Sequence, residues 1–280
     1  MSDFPLTQVD LDALTALGRY RLLTVQSMIR AGVARDATHL GARLRALHKA
    51  KILEHTGPVF VSGQGRLPAF WWLSEKGAEI LSMEIGQPVK RPRTKAVSAR
   101  RNQHLEGIGR TAIMFDKLCE QIGAAVASYS FEFEYSGNRG EAAFERATAL
   151  RLTDALLIPD MLTSATLKDG RARPVALEYE NGSGLSDGRN FLAKLPSYAK
   201  ALSAEVQAIE KRLGLVAPPR VLVVCADDGL LQSIRNNWPS LNDPRDAAPF
   251  YLQTIQAWEA NPMVNWYRIG SAPSPLFPSQ

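Results

Sequence analysis

Cysteine is nearly missing from this chain. Only Cys119 and Cys225 occur among 280 residues, far apart and outside any Cys-x-x-Cys or His-Cys cluster. That argues against a disulfide scaffold and a structural zinc site, and it points to a reducing, cytoplasmic setting. No apolar run reaches the roughly 18 residues of a membrane-spanning helix, so no membrane segment is expected. Residues 1–10 carry acidic side chains and no apolar core, which does not fit a signal peptide. Internal repeats are absent. Acidic residues are scarce in one region: residues 1–103 hold 16 Lys and Arg against 8 Asp and Glu, while the remainder holds 17 against 20. A basic first third beside an acidic remainder suggests two units with different tasks. Basic excess attracts polyanions, nucleic acid foremost, although it also describes a merely cationic soluble face. With 45% hydrophobic and 22% charged residues the chain is composed as a folded protein, not as a disordered one.

Residues 7–84 read as three helices, a hairpin and a closing helix. Leu11, Leu14 and Leu17 fall at helical spacing, and Gly18 is expected to end that helix. Thr24 suits an N-cap for Val25 to Ala31, with Gly32 behind it. Thr38 is the expected cap of a third helix running to about Leu53, with Leu40, Leu44, Leu47 and Ile52 facing inward. Strands over 58–62 and 68–73 around Gly63-Gln64-Gly65 make a hairpin, and Ser74 caps a helix to about Met83. This is the order of a winged helix-turn-helix. Its third helix would enter a major groove, bringing His39, Arg43, Arg45, Lys49 and Lys51 to DNA, with Arg66 on the hairpin tip. A winged helix used for protein contacts is the competing reading. Residues 85–103 read as a solvated basic linker carrying Lys90, Arg91, Arg93, Lys95, Arg100 and Arg101, charges that could track a phosphate backbone.

From His104 the pattern becomes α/β, giving a second domain over 104–270. A helix is expected over 104–122, then strands over 124–135, 150–158 and 174–180. A long helix follows over 187–213 with Pro196 inside it, then a buried strand at Val221 to Cys225 and a helix from about Gly229 to Asn237. The tail after Ala247 is rich in Pro and aromatics, and its last ten residues are expected to be loose. Cys119 and Cys225 read as core residues.

Asp154 falls on the second of these strands. Glu178 and Glu180 fall on the third, two residues apart and therefore on one face of a sheet. Lys194 lies in the following helix. Three carboxylates and a lysine near strand ends suit a hard divalent cation, Mg²⁺ or Mn²⁺, bound by Asp154, Glu178 and Glu180. Lys194 would stabilise developing negative charge. The competing reading makes these charges ordinary strand-edge and helix-surface groups. Tyr198 reads as packing along its helix. His104 opens a helix, as a general base, a metal ligand, a phosphate contact or a simple helix-start hydrogen-bonding group.

The order strand-Asp, strand-Glu-x-Glu, helix-Lys resembles the PD-(D/E)xK nuclease core, a restriction-endonuclease-like fold. Glu180 stands where that pattern has its lysine, and Lys194 is placed to supply one from the helix. A winged helix followed by His104-Leu105, Thr153-Asp154-Ala155-Leu156, Leu177-Glu178-Tyr179-Glu180-Asn181-Gly182, Lys194-Leu195-x-x-Tyr198 and Val221-Leu222-Val223-Val224 resembles the replication-relaxation family of plasmid and mobile-element proteins. That family is related in pattern to MobC-type mobilisation relaxases. Thr153 stands where the family usually has proline, and Glu180 where it often has Asp. The resemblance covers roughly residues 10–240. It implies binding to double-stranded DNA at a plasmid origin region and nicking by a metal-dependent endonuclease. His104, Asp154, Glu178, Glu180 and Lys194 are then the functional positions. Other replication or transfer proteins, or a second copy of the chain, would be partners. A non-catalytic replication or transfer regulator with a degenerate nuclease-like domain is the alternative, and a transcriptional repressor a third.

Overall fold

A computed structural model of the chain describes residues 4–57, 59–61, 65–89, 99–136, 145–182, 191–202, 206–207, 219–238, 249–269 and 271–277. The protein is mixed α/β and divides into two compact units, 1–113 and 114–280. The border falls inside a helix, not at His104 where the sequence pattern changes.

In the first unit α1 spans Gln8–Tyr20, α2 Val25–Arg30 and α3 Ala37–Lys49. Helix α1 runs through Gly18, contrary to expectation. One glycine costs a helix only about 1 kcal/mol, and the buried Leu17 and Tyr20 carry the apolar stripe past it. Thr24 caps α2 as expected, accepting from the Ser27 N–H at 3.1 Å. The cap of α3 is Asp36, not Thr38: its Oδ1 accepts from the His39 N–H at 2.8 Å. Helix α3 stops at Lys49 because the chain turns at Lys51, where φ is 61°. The segment Leu53–His55 is then a strand, β1, and not the helix end. Strands β2 (Val59–Val61) and β3 (Gly65–Leu67) form a hairpin, with 65–67 as its second strand where 68–73 was expected. Strand β4 (Trp71–Leu73) pairs instead with β1, and Leu23 bridges to Trp71 on its other side. Ser74 caps α4, Glu75–Ile85, which Gly86 closes in the left-handed conformation. Leu14, Leu17, Leu40, Leu44, Leu47, Ile52 and Phe70 form the core beneath.

Helix α5 is Ala99–Ile122, so 99–103 are helical and not linker. Residues 90–98 lie outside the described residues. In the N-terminal half of α5 the Glu106 carboxylate accepts from the hydroxyls of Ser27 (2.8 Å) and Thr24 (3.2 Å), which ties α5 to the start of α2.

The second unit is built on a mixed sheet. Its strands are β5 (Ala125–Val126), β6 (Ser130–Phe131), β11 (Met161–Thr166), β12 (Ala172–Glu180), β13 (Arg220–Cys225), β14 (Phe250–Thr254), β15 (Trp266–Arg268) and β16 (Ser271–Ser274). Two small hairpins lie off it: β7 (Tyr135–Ser136) with β8 (Glu145–Arg146), and β9 (Leu150–Arg151) with β10 (Leu156–Leu157). The sheet order is β16-β15-β14-β13-β12-β11-β5, with β6 also on β11. Strands β12, β13 and β14 are parallel; β11 is antiparallel to β12. Helices α6 (Phe191–Leu202), α7 (Asp228–Asn236) and α8 (Ile255–Ala260) complete the unit.

Four expectations change here. The alternating stretch 124–135 is two short strands and a turn, with Phe131 and Phe133 stacked at 5.0 Å. The apolar stretch 150–158 is the β9–β10 hairpin, and the long strand is β11, which follows it. Of the helix expected over 187–213, Phe191–Leu202 is helical with Pro196 on an exposed position; 187–190, 203–205 and 208–213 lie outside the described residues. Of the last ten residues, expected to be loose, Ser271–Ser274 form β16 and Leu276 and Phe277 are buried, while 278–280 lie outside the described residues; before them β14 is buried along its length, and Trp258 and Trp266 meet edge-on at 4.8 Å. One face of the sheet holds Ala176, Val221, Val223 and Leu252 against Phe191, Leu195, Tyr198, Leu231 and Ile234, and that packed layer positions the site.

Candidate functional site

Residues at even positions of β12 share a face, so Ala176, Glu178 and Glu180 all point toward α6. Ala176 belongs to the apolar layer, while Glu178 is 0% exposed and Glu180 8%. Strand β12 thus carries two carboxylates out of the core toward its C-terminal end. From the facing helix, Lys194 and Tyr198 lie one turn apart and reach the same carboxylate. The Lys194 ammonium donates to Glu178 Oε2 at 2.5 Å, and the Tyr198 hydroxyl donates to Glu178 Oε1 at 2.5 Å.

A third acidic residue completes the group. Asp160 immediately precedes β11 and is 4% exposed. Its Oδ1 lies 3.4 Å from Lys194 Nζ, and its Oδ2 accepts from the Tyr179 N–H at 2.8 Å. The Ile158 carbonyl also accepts from Lys194 at 3.2 Å. The β11–β12 pairing places Met161 beside Leu177, which brings Asp160 to the level of Glu178.

Asp154 is not part of this cluster. It sits at the tip of the β9–β10 hairpin with a side chain 74% exposed, paired with Lys200. That pairing, an exposed ion pair through hydrogen bonding and charge, holds its carboxyl below the usual range. Asp154 was expected on a strand, where it would have faced the site; the hairpin turns it to solvent. The residue missed is Asp160. Its signal is the dipeptide Pro159-Asp160 directly before a run of strand-forming residues.

The cluster is electrostatically lopsided. Burial pushes the Glu178 carboxyl up to about 8, against the pull of Lys194, with the Asp160 charge adding to the rise. Burial opposes the charge on Lys194, but Asp160 and Glu178 outweigh it and hold the ammonium above its usual value. The Tyr198 phenol is raised by burial and then by Glu178, so it is a hydrogen-bond donor and not a nucleophile at neutral pH. Burial likewise raises the Cys225 thiol, which is inert in the core. Three buried carboxylates face one lysine, all with hard oxygen donors. That leaves surplus negative charge at this point, and the Lys194 ammonium lies between Asp160 and Glu178 where a cation shared by those two would sit.

In the first unit His39, Arg45, Lys49 and Lys51 are exposed on or just after α3. Arg43 is not available as expected. Its Nε donates to Asp10 Oδ1 at 3.0 Å and its Nη2 reaches Asp10 Oδ2, so it ties α3 to α1. Asp10 is fully buried; burial raises its carboxyl, but Arg43 and the Thr7 N–H and hydroxyl prevail and hold it low. His104 lies half-buried on α5 within this unit. Arg66 is on β3, and Arg100 and Arg101 are on α5. Lys90, Arg91, Arg93 and Lys95 lie outside the described residues. Compared with family models, with curated proteins and with solved structures, the chain matches none.

Proposed function

We propose that the protein binds DNA through its first unit and nicks it through a metal-dependent endonuclease site in its second, in the replication or transfer of a plasmid or mobile element. One observation carries the reading: Asp160, Glu178 and Lys194 converge at one buried point, with Lys194 Nζ 3.4 Å from Asp160 and 2.5 Å from Glu178. Helix, antiparallel strands, helix and parallel strand, with the acidic residues just before β11 and on β12, support a PD-(D/E)xK-like core. Pro159-Asp160 supplies the Pro-Asp wording that Thr153-Asp154 lacks, and the lysine comes from α6. The bridge from Leu23 to Trp71, with β1, β4 and the β2–β3 hairpin behind three helices, supports a winged helix in the first unit. The order of these parts favours the replication-relaxation family.

Asp160, Glu178 and Glu180 would hold Mg²⁺ or Mn²⁺ once Lys194 gives up its place between the first two. When bound, such an ion polarises a phosphodiester and makes water a better nucleophile. The protein's own groups set the stage. The Tyr179 N–H fixes Asp160, the Tyr198 hydroxyl fixes Glu178, and Lys194 brings positive charge to where charge develops on phosphate. Exposed His39, Arg45, Lys49 and Lys51 would meet backbone and base edges.

The test is nicking of a supercoiled plasmid carrying the protein's origin region, with Mg²⁺ or Mn²⁺. Open-circle product from wild type and none from Asp160→Asn is the expected result; equal product from both overturns the assignment. A non-catalytic regulator is the second reading, favoured by the fact that both Glu178 oxygens are already engaged by Lys194 and Tyr198. Salt-sensitive binding without nicking would establish it.

A further inference from the structure

The Lys194 ammonium is surrounded as a bound cation would be. Three oxygens approach it: Glu178 Oε2 at 2.5 Å, the Ile158 carbonyl at 3.2 Å and Asp160 Oδ1 at 3.4 Å. Two of them belong to carboxylates that Mg²⁺ or Mn²⁺ would need. The lysine and a metal ion cannot share that place. Two positive centres repel at such range, and Mg²⁺ takes its oxygens at about 2.0–2.1 Å, closer than any of the three lies to the ammonium.

The lysine is the member of the group that can move. Its side chain is 24% exposed, whereas those of Glu178 and Asp160 are 0% and 6% exposed. A flexible four-carbon stem carries its charge, and a swing outward returns the head group to water. The carboxylates are pinned from behind. The Tyr179 N–H holds Asp160 Oδ2 at 2.8 Å, and the Tyr198 hydroxyl holds Glu178 Oε1 at 2.5 Å. Helix α6 is pinned too, because Phe191, Leu195 and Tyr198 are buried in the apolar layer. Withdrawing even one such side chain costs about 1.5–3 kcal/mol. The exchange is therefore the motion of one side chain, with helix and sheet in place.

The charges set the balance between the two arrangements. Asp160, Glu178 and Glu180 outnumber the single ammonium, and a divalent ion brings them twice its charge. In the free protein the lysine keeps the place through its tether, which holds one ammonium at the site at high effective concentration. A metal ion has to come from solution and give up water. Once out, the ammonium gains from an incoming phosphate oxygen, so nucleic acid favours the open arrangement.

We infer that Lys194 is a tethered stand-in for the metal: in the free protein it closes the place between Asp160 and Glu178, and it swings out to water or phosphate when the ion enters. The inference rests on the metal-site reading above and adds how that site is regulated. The test uses the full chain without DNA and titrates Mn²⁺, with binding read from the loss of the free-ion electron paramagnetic resonance signal. K194M is expected to bind one Mn²⁺ at least about tenfold more tightly than wild type, and K194M/D160N to lose that gain. A lysine that served only as a structural ion pair would give no gain when removed. A second measurement needs no variant. Acetic anhydride labelling of wild type, followed by mass spectrometry, is expected to modify Lys194 slowly in EDTA and faster at Mn²⁺ concentrations that fill the site, while the exposed Lys49 and Lys51 keep their rates. Equally tight Mn²⁺ binding by wild type and K194M, with Lys194 labelling unchanged, overturns the inference and leaves the metal-site reading standing. Weak binding by both overturns it together with that reading. A K194M chain that folds only with Mn²⁺ supports it, since the ion then does the work of the ammonium; one that stays unfolded in Mn²⁺, with Lys194 labelling in wild type unchanged, overturns it.

Discussion

Lys194 and Glu178 form a buried ion pair, Nζ to Oε2 at 2.5 Å, that joins α6 to β12 at the edge of the apolar layer. Both side chains emerge from elements that are otherwise core. A buried pair of this kind is weak support for stability in itself, because desolvation offsets most of the attraction. Its consequence is positional: it holds two carboxylates from neighbouring strands around one ammonium.

Removing either partner strands the other. Lys194→Met and Glu178→Gln are each expected to cost up to about 3–5 kcal/mol, the larger loss falling on Lys194→Met, which leaves two buried carboxylates facing each other. The double variant is expected to cost clearly less than the two together. Tyr198→Phe removes one hydrogen bond to Glu178 and is expected to cost about 1–3 kcal/mol. Urea unfolding of the three variants and the double measures the cycle, and strictly additive costs would show that the pair does not interact.

The two aspartates that precede β11 are expected to part company. Asp160→Asn keeps an amide oxygen to accept from the Tyr179 N–H but removes the negative charge beside Lys194, and abolishes nicking. Asp154→Asn removes only an exposed contact to Lys200, and leaves both nicking and the unfolding midpoint at wild-type values. Equal loss of nicking in both variants would return Asp154 to the site.

The exchange of Asp154 for Asp160 shows where sequence patterning stops. Leu150 to Ile158 and Met161 to Thr166 are both short, apolar and strand-like, and periodicity does not separate a hairpin folded on itself from a strand in the sheet. Pro159 is the local mark that a new strand begins after it. Strand β14 was hidden for a related reason: Phe250 to Thr254 is buried on both faces, so it shows no alternation among the prolines and aromatics of the tail. The parts that were legible carry local chemistry. Thr24 and Ser74 cap helices, Val221 to Cys225 is one apolar run, and Glu178 and Glu180 share a face two residues apart. The Asp10–Arg43 tie was not legible, because it joins residues 33 apart by tertiary packing alone.

That tie predicts an acid limb. The Asp10 carboxyl is held low in the folded chain, against an unfolded value near 3.9. Its contribution is fully present above that value and is lost as pH falls through the lower folded value. Asp10→Asn is expected to flatten the fall in stability below about pH 4, and Arg43→Gln to do the same while leaving the salt slope of DNA binding unchanged. Urea midpoints from pH 2 to 7 read the first effect. A reduced salt slope in Arg43→Gln would place Arg43 on DNA instead.

Two glycines in helices are expected to respond in opposite directions to alanine. Helix propensity alone favours alanine at both by about 1 kcal/mol. At Gly41 the added Cβ meets only the far end of Arg45, at 3.5 Å, so Gly41→Ala gains most of that and raises the melting temperature. At Gly77 the added Cβ runs into the Ile52 carbonyl oxygen. That oxygen also accepts from the Ser74 N–H and hydroxyl, at 3.1 and 2.8 Å, so it is fixed by the cap of α4 and cannot retreat cheaply. Overpacking of about 1–3 kcal/mol then exceeds the propensity gain, and Gly77→Ala lowers the melting temperature. Thermal unfolding of the two variants side by side decides it. A rise for both would mean that α4 can shift away from Ile52, and that the Ser74 cap does not hold the close approach of helix to strand.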